Sequence, residues 1–178
     1  RLPPEIQPRD EAEAYAVQAE LHRQFEQTSG AGKRVGWKIG CTTLVMQKLL
    51  GIDAPAYGGI TEFGVNEVQA SFWTGTFHRP GVECEIAMRI ASDTSPAAAP
   101  YTRETIAEHV GACMAAMEVV DNRYGDIKTA PVPVMIADDF FQASCVLGPD
   151  VADWRKLDLA AIHGRILFNG RDMGSATG

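Results

Sequence analysis

The 178-residue sequence predicts a single α+β domain with more sheet than helix. Three observations support this fold class. Apolar runs of strand length, bounded by glycine or proline, recur along the chain. Few segments combine a helical repeat with a capping residue. Helices and strands do not alternate regularly, which disfavours a doubly wound parallel sheet.

The first predicted helix covers about residues 11–28. Asp10 followed by Glu13 resembles a capping box at its start. A strand over 34–39 is expected next, and then a short helix that Thr42 or Thr43 caps. The apolar stripe expected on the first helix consists of Ala14, Val17, Leu21 and Phe25.

Residues 52–80 are rich in glycine and aromatic residues and lack a helical period, so we expect loop and short strand there. A strand is predicted over 81–90 (GVECEIAMRI). Thr102 then caps a predicted helix that leads into a β-rich segment at 117–124. The expected inner face of that helix consists of Ile106, Val110, Cys113 and Met117.

The last third of the chain is predicted from turn residues and apolar runs. A proline-punctuated segment covers 130–136, and an apolar run covers 140–148. A final strand is expected over 164–168. Asn169-Gly170 is typical of a two-residue β-hairpin turn, so the chain should return antiparallel after it.

Composition limits the classes of partner. Hydrophobic residues make up 46% of the chain, charged residues 22%, and the net charge is −7. This acidity argues against nucleic acid and anionic membranes but leaves a small anionic substrate open. No uncharged apolar run approaches the roughly 20 residues that a membrane span needs.

The four cysteines lack C-x-x-C spacing, so we expect buried free thiols, no structural zinc and a reducing, cytoplasmic compartment. The chain opens without a signal peptide. It begins at RLPPEIQ and stops in GRDMGSATG, and we expect that the natural protein extends beyond both ends.

Two carboxylates open the strand at 81–90. Glu83 and Glu85 share one face of the strand, which indicates either a solvated strand edge or half of a metal site. Glu118 stands in a second apolar run and is expected to be buried. Three carboxylates would suit Mg²⁺ or Mn²⁺. The alternative for Glu118 is an ion pair with Arg123 or another base.

Lys38 lies between Trp37 and Ile39 in a predicted strand. Partly desolvated, it would suit proton transfer or the binding of a carboxylate. The alternative is an edge-strand lysine that blocks aggregation. The histidines show no metal-binding spacing, and a helix surface is expected for His22 and His109.

Several strings together are similar to a known family. They are WKIGCTT (37–43), MQKLLGIDAPAYG (46–58), GVECEIA (81–87), MEVVDNR (117–123), IADD (136–139) and VLG (146–148). In this order the chain resembles the 2-keto-4-pentenoate hydratase / 4-oxalocrotonate decarboxylase group of the fumarylacetoacetate hydrolase superfamily. The resemblance runs from residue 14 to residue 170.

The resemblance implies a rolled, mainly β sheet with flanking helices, usually assembled as a homo-oligomer. It implies that Mg²⁺ or Mn²⁺ is the cofactor and Lys38 the active-site lysine. Metal ligands would be Glu83, Glu85 and Glu118, and substrate-binding residues Tyr57, Asp138 and Phe140. Family members are longer and carry a further C-terminal segment.

The activity implied is that of a metal-dependent lyase, a hydratase of 2-hydroxy-dienoic or 2-oxo-enoic acids in the catabolism of aromatic compounds. A 4-oxalocrotonate-type decarboxylase and an acylpyruvate hydrolase are alternatives. A further alternative, outside the enzymes, is a non-catalytic protein that binds small acids.

Two segments depart from the family pattern. Ala56 stands where many hydratases carry an acid, which puts the usual hydratase activity in doubt. Phe140 and Phe141 replace part of a loop that often reads A-D-N-x-S-S, which indicates a bulkier or less polar substrate tail.

Overall fold

A computed structural model describes residues 2–28, 30 and 32–178. More of these residues lie in strands than in α-helices, so the mixed α and β character predicted for the fold is confirmed. The α-helices are α1 (Glu11–Gln27), α2 (Leu44–Leu50), α3 (Arg103–Ala107) and α4 (Val132–Ala137). The strands are β1 (Arg34–Gly40), β2 (Ala56–Thr61), β3 (Val65–Glu67), β4 (Pro80–Ile90), β5 (Val110–Asp121), β6 (Gln142–Leu147), β7 (His163–Phe168) and β8 (Arg171–Thr177).

The strands form three sheets. β1 and β2 pair as an antiparallel ribbon, β7 and β8 form a hairpin, and the third sheet has the order β3-β6-β5-β4. The chain divides into two compact units. The first contains residues 1–66, 71–82 and 119–145, and the second contains 67–70, 83–118 and 146–178.

Helix α1 begins as predicted, but its buried face is polar. The Asp10 side chain accepts a hydrogen bond from the backbone N–H of Glu13. The buried residues are Ala14, Gln18 and His22, whereas Val17 is 46% exposed, so the predicted apolar stripe is wrong at that position. His22 is buried, which also contradicts the expected surface position.

The reason for this polar face is the backbone that it covers. Gln18 donates from its side-chain amide to the carbonyl oxygens of Tyr57 (3.0 Å) and Ile136 (2.7 Å). Backbone carbonyls buried beside a helix require a donor, so polar side chains replace apolar ones there.

The predicted helix after Thr102 is mostly wrong. Thr102 does cap α3, but that helix ends at Ala107 and β5 begins at Val110. In β5 the chain lies between β6 and β4 in the sheet, so strand pairing on both edges overrides the helical spacing of its apolar residues. His109 consequently lies in the turn that joins the two elements rather than on a helix.

Capping and turn residues set the bounds of the other helices in the first unit. Thr43 caps α2, and Gly51 ends it in the left-handed conformation. The proline-punctuated segment forms α4 after Pro131, and α4 supplies much of the core of this unit. That core consists of Ala14, Ala56, Met135, Ile136 and Phe140.

The second unit has its own core of Val110, Cys113 and Trp154. Its hairpin turns at Asn169 and Gly170, which both have positive φ (49° and 77°), as a type I′ turn requires. None of the four cysteines, all of them among the described residues, forms a disulfide, but Cys84 is exposed, so the expectation of buried thiols is wrong there. None of the helices in the described ranges has the length and apolar character of a membrane span.

Candidate active site

Three carboxylates meet in the second unit. Glu83 and Glu85 lie on β4, and Glu118 lies on β5, its neighbour in the sheet. One carboxylate oxygen of each glutamate lies within 4.8 Å of the other two. Glu118 is 8% exposed, and the other two side chains are exposed. The structure therefore brings together all three of the predicted metal ligands, and we call them the acidic triad.

The donor set of the triad fits a hard divalent cation. It offers only oxygen atoms, and its three negative charges repel one another unless a cation lies among them. Three carboxylates leave coordination positions for water or for substrate oxygens. Within the described part of the chain, no other group of three or more His, Cys, Asp or Glu side chains converges in this way.

Lys38 lies in the first unit and is half-buried. It pairs with Gly58 across the β1–β2 ribbon. Its Nζ atom lies 5.3 Å from the centre of the Phe140 ring, within the range of a cation–π interaction. Phe140 also packs against Gly40, where an added Cβ would approach the ring to 2.9 Å. The ammonium group is therefore held beside an aromatic ring.

Phe140 reaches this position through an unusual turn. Asp139, Phe140 and Phe141 all have positive φ (54°, 48° and 69°). Non-glycine residues rarely adopt this conformation, and three in succession are unfavourable without support from their surroundings. We call this segment the left-handed turn.

A buried hydrogen bond between His22 and Asp139 supports the left-handed turn. His22 Nε2 lies 2.8 Å from Asp139 Oδ1, and the backbone N–H of Gly59 donates to the same oxygen at 2.9 Å. His22 is 2% exposed and Asp139 is 6% exposed. The Asp139 carboxylate therefore attaches the left-handed turn to α1 and to β2.

No protein-family model matches the chain, but curated proteins do. It is 32% identical over 151 residues to the 2-keto-4-pentenoate hydratase of Burkholderia vietnamiensis, covering 83% of this chain and 55% of the relative. It is 30% identical over 161 residues to the 2-hydroxypent-2,4-dienoate hydratase of Pseudomonas putida, covering 88% of this chain and 70% of the relative. The chain belongs to the 2-keto-4-pentenoate hydratase family. The resemblance seen in the sequence is thus confirmed.

A solved structure has a similar fold. The 4-oxalocrotonate decarboxylase of Pseudomonas putida G7, complexed with magnesium and adipate, superposes with a TM-score of 0.80 at 21% identity. The match covers 94% of this chain and 62% of that one. The chain spans about 55% of the length of the Burkholderia hydratase.

Asp138, which the family resemblance assigns to substrate binding, is hydrogen-bonded to two neighbouring side chains. The Asp138 carboxylate accepts hydrogen bonds from Arg123 Nε (2.8 Å) and from the Tyr124 hydroxyl (3.0 Å). Burial, and secondarily the Asp138 charge, raises the pKa of Tyr124. Arg123 therefore forms an ion pair with Asp138.

Tyr57 is 38% exposed and stacks on Tyr15 with ring centres 4.0 Å apart. Its other neighbour, Trp37, meets it edge-on at 5.1 Å. Ala56, where the resemblance led us to expect an acid, is 3% exposed and lies in the core cluster with Phe140. Phe140 is itself 5% exposed, so its ring is a packing surface for protein atoms.

Sequence reasoning missed the role of His22 and Gly59. One signal was present: Ala14, Gln18 and His22 recur at intervals of four, which places two polar side chains on the same helix face as a small one. The adjacent glycines 58 and 59 were a second signal, because such pairs allow a close approach of other groups to a strand.

Proposed function

We propose that this protein is a divalent-metal-dependent lyase: a hydratase that adds water to a 2-hydroxy-dienoic or 2-oxo-enoic acid such as 2-hydroxypenta-2,4-dienoate, in the catabolism of aromatic compounds. The observation that carries the proposal is the acidic triad, because family membership predicted its three residues and the strands bring them together.

The triad of Glu83, Glu85 and Glu118 would hold Mg²⁺ or Mn²⁺. When bound, such a cation supplies a Lewis acid that stabilises negative charge on the 2-oxygen of the substrate. The solved decarboxylase relatives, complexed with magnesium and adipate in one case and with calcium and acetate in the other, support this assignment.

Lys38 is proposed as the catalytic lysine. Its ammonium group can bind a substrate carboxylate or transfer a proton, and either role requires that the group be held in place. The ribbon partner Gly58 and the Phe140 ring provide that support. Phe140 also excludes water from one side of the ammonium, since the ring is buried. We propose Tyr57, Asp138 and the exposed part of Phe140 as further substrate-binding residues.

A decarboxylase of the 4-oxalocrotonate type is the second candidate. The buried, apolar environment of Ala56 favours it, because no acid is available at that position for proton transfer. A Pseudomonas putida 4-oxalocrotonate decarboxylase is 28% identical over 159 residues.

We also propose the rolled-sheet fold, cytoplasmic location and homo-oligomeric assembly of the family. The exposed apolar face of α2 supports assembly, because contiguous apolar surface is typical of interfaces. Its members are Leu44 (70% exposed), Val45 (76%) and Leu49 (72%).

A spectrophotometric panel tests the activity. Purified protein with Mg²⁺ is supplied with 2-hydroxypenta-2,4-dienoate, 4-oxalocrotonate or an acylpyruvate, in parallel with a chelator and with the Lys38→Met variant. Metal-dependent loss of the dienoate in the wild type alone supports the hydratase. Turnover of 4-oxalocrotonate instead supports the decarboxylase, and turnover of the acylpyruvate supports a hydrolase. Turnover of none of the three supports the alternative of a non-catalytic protein that binds small acids.

A further inference from the structure

His22 and Asp139 form a buried pair whose contacts extend toward the proposed catalytic lysine. His22 Nε2 lies 2.8 Å from Asp139 Oδ1. Because an ionised carboxylate only accepts hydrogen bonds, Nε2 carries the proton and donates it to Asp139. The other ring nitrogen, Nδ1, is buried without a hydrogen-bond partner in the described residues. The imidazole is thus directed entirely at Asp139.

The fit around the pair leaves no room for a side chain at two positions of β2. A Cβ on Gly59 would overlap the His22 imidazole, and a Cβ on Gly58 would overlap the carbonyl oxygen of Asp139. Asp139 also accepts the backbone N–H of Gly59. Both ends of the contact are therefore fixed: His22 by its helix and Asp139 by β2.

Asp139 is the first residue of the left-handed turn, and Phe140 is the second. Since the backbone of this turn is unfavourable, its position depends on the contacts of its first side chain. Phe140 in turn packs against Gly40 and lies 5.3 Å from Lys38 Nζ. An unbroken series of contacts leads from His22 through Asp139 and Phe140 to Lys38.

We propose that His22 and Asp139 are positioning residues for Lys38: the pair holds the left-handed turn so that the Phe140 ring fixes the ammonium group. His22 acts through Asp139 and Phe140 and takes no part in the chemical step. The effect of the pair on turnover rests on the proposed function, whereas its effect on the surroundings of Lys38 does not.

A matched control exists on the same helix. The Tyr15 hydroxyl accepts the backbone N–H of Tyr57 at 3.2 Å, so it also supports β2, and among the described residues no hydrogen bond joins it to the left-handed turn. If the pair served only to attach α1 to β2, loss of the Tyr15 hydroxyl would affect Lys38 in the same way as loss of the His22 donor.

The test uses NMR of protein whose lysines carry ¹³C-dimethyl groups, a modification that keeps their charge. Lys38→Arg identifies the Lys38 signal, and Phe140→Leu defines how far the ring shifts it. His22→Gln retains a donor at the place of Nε2, and His22→Asn is too short to reach Asp139. We expect most of the ring shift to be lost in His22→Asn and kept in both His22→Gln and Tyr15→Phe.

Two results would overturn the proposal: a Lys38 signal in His22→Asn at the wild-type position, or a displacement in Tyr15→Phe as large as in His22→Asn. Should His22→Asn not fold, Asp139→Ala is measured instead, with the same expectation and the same contrary result.

Kinetics provide the second readout on the substrate that the panel identifies. We expect kcat to fall about tenfold in His22→Asn, with KM changed by less than about twofold, because misplacement of a catalytic group affects the transition state more than binding. His22→Gln should restore kcat. An inactive wild type would contradict the proposed function alone, since the NMR result does not depend on turnover.

Discussion

The carboxylate of Asp121 accepts a hydrogen bond of 2.7 Å from the backbone N–H of Arg79, the residue that precedes β4. It also accepts the backbone N–H of His78 at 2.9 Å. Asp121 is 4% exposed. Burial opposes the charge and by itself would raise the pKa, but the two N–H donors and the His78 side chain together outweigh it, so the pKa of Asp121 lies below its ordinary value.

Asp121→Asn should therefore destabilise the protein in a pH-dependent way. Because the folded-state pKa is lowered, the carboxylate contributes stability above the unfolded-state pKa of about 4, and this contribution is lost as the pH falls through the folded value. We expect a loss of about 2 kcal/mol at pH 7, since hydrogen bonds to a charged group are removed.

Urea unfolding at pH 7 and at successively lower pH measures this effect. The difference between wild type and variant should narrow below about pH 4. Asp153→Asn is the control, because Asp153 makes only an exposed pair with Lys156. A difference that does not change with pH would show that the charge of Asp121 is not what stabilises the segment.

The acidic triad predicts that Glu83→Gln stabilises the protein without metal and destabilises it, relative to the wild type, with Mg²⁺. Glu83→Gln removes one of three mutually repelling charges, so the metal-free variant should be more stable than the wild type by about 0.5 kcal/mol. With excess Mg²⁺ the order should reverse, because only the wild type gains binding free energy.

Thermal unfolding with and without Mg²⁺, together with titration calorimetry, measures this reversal. Glu104→Gln is the matched control, since Glu104 lies on α3 outside the triad. Equal Mg²⁺ affinity in the wild type and in a Glu83→Gln, Glu118→Gln double variant would rule out the assigned site.

Gly58→Ala should be severely destabilising. The new Cβ would overlap the backbone carbonyl of Asp139, which cannot move as a flexible side chain does. We expect a loss of at least about 2 kcal/mol. Gly125→Ala serves as the control, because nothing lies within 4 Å of its Cβ position. Similar urea midpoints for the two variants would mean that the turn does not approach β2 this closely.

Arg123→Lys tests the hydrogen bonds that hold the two residues flanking the left-handed turn. The guanidinium donates to the Asp138 carboxylate and, at 2.8 Å and 3.1 Å, to the backbone carbonyls of Asp138 and Gln142, the two residues that flank the turn. A lysine cannot make three such bonds from one planar group. We expect a loss of about 1–2 kcal/mol in urea unfolding.

Arg23→Lys, at an exposed pair with Glu20, should change stability by less than about 0.5 kcal/mol. If the two arginine variants were equally stable, the contacts of Arg123 with the flanking carbonyls would contribute nothing measurable.

Local signals in the sequence predicted much of the fold. The Asp10 cap, the Thr43 cap and the Asn169-Gly170 turn are short-range features, and each lies where it was expected. Residues 110–116 were mispredicted as helix because their apolar residues fit a helical period, while their strand is determined by pairing with residues distant in sequence. No local pattern contains that pairing.

In the candidate site, too, local features could be predicted from the sequence and long-range contacts could not. Glu83 and Glu85 share a face of one strand, which alternation predicts, and the apolar neighbours of Glu118 correctly indicated burial. The His22–Asp139 contact spans 117 positions and joins a helix to a turn. The sequence around His22 does not indicate that Asp139 is its hydrogen-bond partner.

The outer edge of β2 has a consequence for self-association. Strand edges with free N–H and C=O groups recruit further strands, and many proteins protect them with charge or proline. Here side chains occupy the edge instead: Tyr15 and Gln18 from α1, and Asp139 from the turn. α1 thus acts as a substitute for a third strand, and partial unfolding of this helix would convert the ribbon into a template for aggregation.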